Sequence, residues 1–80
     1  MTNELIKEKI DTIIKDVLVL DEQDEYKPTM SLVRDFGADS LDGIDILIRL
    51  EQEFGISIPS EDIPYDCRVE NIYNYVILKL

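Results

Sequence analysis

The sequence contains no histidine and one cysteine, and its 8 lysines and arginines are outnumbered by 18 aspartates and glutamates. Without histidine the chain lacks the side chain that most often serves as a general base or metal ligand near neutral pH. Cys67 alone can neither close an internal disulfide nor complete a zinc site, so no metal site is expected. No apolar run approaches the ~20 residues that cross a bilayer. The start Met1-Thr2-Asn3-Glu4-Leu5 has neither the basic nor the apolar region of a secretory signal, which makes a cytoplasmic location the expectation. A formal charge of −10 repels phosphate backbones and anionic lipid, and it draws the chain toward basic protein surfaces. Nucleic acid is therefore a disfavoured partner.

What is present is a short chain with enough apolar residues to fold: 80 residues, 45% of them hydrophobic. That content is ordinary for a globular protein and argues against disorder despite the charge density. Chains of about 60 residues bury only roughly 60% of their unfolded surface, so a chain of 80 can build one modest core. It has little room for an enclosed catalytic cavity as well. The expectation is one domain spanning residues 1–80, monomeric and not an enzyme.

Hydrophobic periodicity supplies the secondary structure. Between Glu4 and Leu20, the residues Leu5, Ile6, Ile10, Ile13, Ile14, Val17 and Leu18 recur three and four apart, which predicts an amphipathic helix opened by Thr2 or Asn3. From Asp21 to Gly37 no period is sustained and Pro28 interrupts, so a long loop is expected, tacked to the core by Leu32, Val33 and Phe36. A second helix starts at Asp39-Ser40 and runs to Glu53 or Phe54. Asp39 and Asp42 form a capping box at its start and Gly55 supplies the left-handed end. Ile56-Ser57-Ile58-Pro59 reads as an extended connector and Ser60-Glu61-Asp62-Ile63 as a short capped turn. Val69, Ile72, Tyr73, Tyr75, Val76 and Leu80 predict a last helix from about Arg68, with Asp66 as its cap. The fold class is all-α: a small bundle of three main helices plus one short one.

The second helix has more apolar surface than one core needs. At ~100° per residue, Gly43, Ile46, Leu47, Leu50 and Phe54 fall on one side, while Leu41, Ile44 and Ile48 form a stripe roughly 140° away. Asp42, Asp45, Glu51 and Gln52 border that stripe. It either faces outward, as a narrow apolar strip suited to a partner with a basic rim, or packs beneath the long loop.

Ser40 follows a flexible Gly37 and a small Ala38 into the start of this helix, where free amides and the macrodipole favour an anion. A phosphodiester on its hydroxyl would gain from both, although Asp39 and Asp42 oppose it. Ser40 is otherwise a simple helix-opening serine, and with no histidine and no G-x-S-x-G elbow it is not a hydrolytic nucleophile.

The segment Asp35-Phe36-Gly37-Ala38-Asp39-Ser40-Leu41-Asp42 closely resembles the D-L-G-A-D-S-L-D motif around the modified serine of the acyl carrier proteins. The resemblance continues through Leu50-Glu51-Gln52-Glu53-Phe54-Gly55-Ile56-Ser57-Ile58-Pro59 to the Val69–Val76 helix, and so covers essentially the whole chain. It implies a free-standing carrier with 4′-phosphopantetheine, from coenzyme A, on Ser40. A phosphopantetheinyl transferase (holo-acyl-carrier-protein synthase) would load it, and fatty acid synthase enzymes and acyltransferases would use it. Asp39, Leu41, Asp42, Ile44, Asp45, Ile48 and Glu51 would then be the docking surface, with Val33, Ile46, Leu50, Ile58, Ile63, Ile72 and Val76 lining a space for the acyl chain.

Three residues depart from the family pattern. Gly43 lies inside the second helix, where glycine costs ~0.5–1 kcal/mol relative to alanine. Arg49 interrupts the acids and can pair with Asp45 or Glu53. Cys67 replaces a polar residue and reads as a small apolar filler. These departures leave room for a specialised carrier of polyketide, peptide or lipid precursors. An acidic helical adaptor or inhibitor that carries nothing is the alternative of a different class. Calcium binding is not expected, since Asp21 to Glu25 lacks the spacing of an EF-hand loop.

Because the acids repel one another, Mg²⁺ or moderate salt is expected to raise the melting temperature. Thermal melts followed by circular dichroism in rising NaCl or MgCl₂ check this, and a midpoint indifferent to both rejects it.

Overall fold

The structure, a computed structural model, describes residues 1–64 and 66–80. Three helices make the fold among these residues: α1 (Asn3–Leu18), α2 (Ser40–Phe54) and α3 (Val69–Lys79), with one 3₁₀ turn over Ser60–Asp62 that lacks the expected side-chain cap, because Pro59, which has no acceptor on its side chain, takes the cap position. The sole β-type pairing among them is an isolated bridge between Ser31 and Arg68.

Thr2 opens α1, its hydroxyl accepting the Leu5 amide at 3.2 Å. Ile6, Ile10 and Ile14 follow at a spacing of four, and all three are buried. The helix stops at Leu18, two residues before the end that periodicity suggests. Val19 turns into the left-handed region at φ 56°, a conformation that costs a β-branched residue. Leu20 then donates its amide to the Lys15 carbonyl at 2.9 Å and folds back half-buried. Leu20 keeps the apolar period while leaving the helix, which is why the sequence alone overruns the end.

Both α2 and α3 pack on α1. Ile46 and Leu50 of α2 meet the α1 isoleucines together with Val69, Ile72, Tyr73 and Val76 of α3, and Leu32, Ala38, Ile58 and Cys67 complete the core. Ion pairs at the rim fix how α1 lies against α2. Lys9 reaches Glu53 at 3.1 Å, while Arg49 holds Asp45 at 3.0 Å along its own helix and Asp16 across on α1. Arg49 thus takes one of its two expected partners, because Lys9 already occupies Glu53. Such exposed pairs contribute little energy each but set register.

The long loop between α1 and α2 is anchored at two places. Tyr26 donates to Asp11 Oδ1 of α1 at 2.6 Å, stacks on Phe36 with ring centroids 5.7 Å apart, and receives Lys15 Nζ over its face at 4.7 Å. Tyr73 of α3 donates to the same Asp11 oxygen. Burial, and then the Asp11 carboxylate, push both phenols well above the ordinary tyrosine range, so they remain donors.

The second anchor is the start of α3, whose Val69 and Glu70 amides donate to the Met30 and Pro28 carbonyls at 3.1 and 2.9 Å. Asn71 caps this helix by accepting the Arg68 amide at 2.8 Å. Asp66, the cap expected from sequence, instead meets the Arg34 guanidinium at 3.5 Å and offers its backbone carbonyl to the Ser31 hydroxyl at 3.4 Å. Loop carbonyls satisfy amides that a capping side chain would otherwise have to serve.

Replacing Asp11 by alanine leaves two tyrosine hydroxyls without their acceptor and is expected to cost about 1–3 kcal/mol, a fall in melting temperature on the order of 10 °C. Thermal denaturation of Asp11→Ala checks this. A midpoint within roughly 2 °C of the parent means the carboxylate does not hold the loop and α3.

Candidate functional site

The approach to α2 is built residue by residue. Gly37 takes φ 69°, a left-handed value that a side chain would oppose. Ala38 is small enough to be buried, and its amide donates to the Leu32 carbonyl at 2.9 Å. Asp39 stops the chain in extended conformation, and its carboxylate accepts the Asp42 amide at 2.9 Å while Asp42 accepts the Asp39 amide at 3.1 Å. The reciprocal cap expected from sequence is therefore present. Ser40 is the first residue of the helix it opens and is exposed. First-turn amides have no partner within a helix, so an anion on this hydroxyl would meet free donors and the positive end of the dipole.

The outward stripe is open to solvent. Leu41 is 73% exposed, Ile44 52% and Ile48 47%, which overturns the alternative in which the loop covers them. The loop cannot reach them because Tyr26 and the Met30–Leu32 segment bind it to α1 and α3.

The four acids of the expected docking surface all have partners within the chain. Asp39 and Asp42 cap each other's amides, Asp45 pairs with Arg49, and Glu51 accepts the Ile58 amide at 2.7 Å to fix the connector after α2. Their charges remain, but each side chain is oriented by its own local bond.

Beside Ser40 opens a mainly apolar cavity of about 290 Å³ in the seam between α2 and α3. Of the lining expected from sequence, Val33, Ile46, Ile63 and Ile72 are in its wall. Leu50, Ile58 and Val76 are not: they are buried in the core. Sequence reasoning missed Leu32, Ala38, Gly43, Leu47, Ser60, Pro64 and Cys67, which also line it, and Ile44, which borders the cavity as well as the outward strip. Leu47 had a signal, its place on the buried stripe, whereas Pro64 and Cys67 arrive only through the path of the connector.

Cys67 is buried, and desolvation, with a smaller contribution from Asp66, pushes its thiol up to about 11. It is a protonated filler of the wall, not a nucleophile. The sulfur chemistry of a carrier must then come from an attached group, and the site fits one: an exposed hydroxyl at a helix N-terminus with an apolar recess beside it.

No helix is long and apolar enough to cross a membrane among the described residues. A family model described as the phosphopantetheine attachment site matches residues 8–71, a span that includes Ser40. The chain is 37% identical over 79 residues to the acyl carrier protein of Chlorobium phaeobacteroides, an alignment covering 99% of this chain and 100% of that protein. With its three helices, a serine opening a capped α2 and a match across most of its length, the chain belongs to the phosphopantetheine-bearing acyl carrier protein family, whose members are carriers and not enzymes.

Proposed function

We propose that the chain, as one domain over residues 1–80, is a monomeric, cytoplasmic carrier of fatty acid synthesis with 4′-phosphopantetheine on Ser40. The observation that carries the reading is the position of Ser40, whose exposed side chain sits at the start of a capped helix, at the rim of an apolar cavity and one residue from an exposed apolar strip. The group supplies, when bound, the thiol that holds acyl chains as thioesters. Alignment with the full length of the Chlorobium protein supports a one-domain carrier. The Gly37-Ala38-Asp39-Ser40-Leu41-Asp42 run favours fatty acid synthesis over polyketide, peptide or lipid-precursor pathways.

The chain's own residues have three tasks. Asp39 and Asp42 lock the first turn of α2, which keeps Ser40 in one place for a phosphopantetheinyl transferase. The helix N-terminus stabilises the phosphodiester against the neighbouring carboxylates. Leu41, Ile44 and Ile48 give fatty acid synthase enzymes and acyltransferases a small apolar contact, while Asp39, Asp42, Asp45 and Glu51 meet their basic rims. A net charge of −10 speeds encounter, and the small patch lets the partner leave quickly, which a shuttle requires.

Incubation with coenzyme A and a phosphopantetheinyl transferase is expected to raise the intact mass of the parent chain by one phosphopantetheine and to leave Ser40→Ala unchanged. An unmodified parent, or a modified Ser40→Ala, overturns the assignment.

Docking is best tested on the apolar strip, since charge reversal at Asp42 or Glu51 would also remove a bond that shapes the fold. The double variant Leu41→Ser/Ile48→Ser, at the two strip residues outside the cavity wall, is expected to weaken binding to the transferase about tenfold or more with helicity unchanged. Unchanged affinity by titration removes the strip from the docking surface.

A further inference from the structure

Gly43 has neither of the usual reasons for being glycine. Its backbone is helical, within α2, and does not take the positive φ seen at Gly37 and Gly55. A methyl group built on its Cα would meet nothing within 4 Å beyond its own turn of helix, so no neighbouring group approaches closely. Glycine weakens a helix interior relative to alanine, so the position loses stability without relieving any contact.

What the missing side chain leaves is open space, and that space belongs to the cavity beside Ser40. Gly43 and Ser40 both line it. Three residues apart, they are neighbours on the same face of α2. The apolar wall of the same cavity includes Ile44, Ile46, Leu47 and Ile63, with Ile72 from α3. At about 290 Å³ the recess lies near the lower end of ligand-pocket sizes, roughly 300–1,000 Å³, so the width of its entrance matters.

We propose that Gly43 is the threshold of this cavity: its bare backbone lets an apolar acyl chain of medium length turn from the arm on Ser40 into the seam between α2 and α3. The size of residue 43 then sets how well the carrier shields its cargo. The proposal rests on the reading of Ser40 as the attachment site, and its test separates the two.

The parent, Gly43→Ala and Gly43→Leu are loaded from acetyl- and octanoyl-coenzyme A with a phosphopantetheinyl transferase, and thioester cleavage by hydroxylamine is timed. Melting temperatures of the unloaded proteins are measured alongside. In the parent, the octanoyl thioester is expected to be cleaved about threefold or more slowly relative to acetyl. Gly43→Leu is expected to bring that ratio close to one while its unloaded form melts higher, because leucine favours the helix and fills apolar space. Gly43→Ala should fall between.

Protection lost while stability rises is the signature of a threshold. The parent ratio retained in Gly43→Leu overturns the proposal, as does a parent ratio of one. Should leucine block loading, Gly43→Ala decides, and an unchanged ratio there overturns it. If none of the three gains mass, the assignment of Ser40 fails and this proposal with it; if all three load with equal protection, this proposal alone fails.

Discussion

The hydroxyls of Tyr26 and Tyr73 converge on the Asp11 carboxylate, so one side chain of α1 binds both the long loop and α3. Three consequences depend on this convergence. It lets α1 serve as the helix against which both others pack, although α1 itself presents only three buried isoleucines. It keeps the loop away from the outer face of α2, which leaves Leu41, Ile44 and Ile48 in solvent. It also places the Met30–Leu32 segment against the start of α3, where loop carbonyls receive the first helix amides. A carboxylate held by two phenols, one buried and one half-buried, suits an acidic chain, because its charge is answered by hydrogen bonds instead of scarce cations.

Scarcity of cations shapes the rest of the surface. With 8 basic residues against 18 acidic ones, most carboxylates have no ion partner among the described residues, and several make backbone bonds instead. Asp39 and Asp42 close the start of α2, Asp35 accepts the Ser31 amide at 2.6 Å, and Glu51 holds the Ile58 amide. The acids around Ser40 are thereby ordered as well as concentrated. Arg49, the one cation of α2, lies toward α1, where Asp16 and Asp45 neutralise it. It therefore interrupts the acidic face less than its position in the sequence implies.

The cavity follows from the same architecture. Since α2 and α3 each pack on α1, the seam between them is filled by the loop and connector residues Leu32, Val33, Ile63 and Pro64 in place of a fourth long helix. Short segments fill such a seam incompletely, and Gly43 leaves one wall bare. The recess beside Ser40 thus arises where core packing is completed by connectors.

Local rules made much of this legible in advance. The capping box at Asp39 and Asp42, the stop at Gly55, the 3₁₀ turn at Ser60 and the buried faces of α2 and α3 depend on residues three and four apart, which a sequence displays directly. The serine stood out because Gly37-Ala38-Asp39-Ser40-Leu41-Asp42 is itself one local unit. Other features needed the folded chain. Leu20 carries the period of α1 past its true end, so only the left-handed turn at Val19 and the Leu20 amide bond to the Lys15 carbonyl show where the helix stops. Asn71 displaces Asp66 as cap because the loop fixes where α3 begins.

What the sequence by itself determined were the three helices, the opening of α1 at Thr2, the caps at both ends of α2 and the two apolar stripes on α2. Which stripe faces solvent, and where a cavity opens beside Ser40, the tertiary structure alone decided. Both depend on how Asp11, Tyr26 and Tyr73, far apart in the chain, position the loop and α3 around α1, and no local periodicity encodes that meeting.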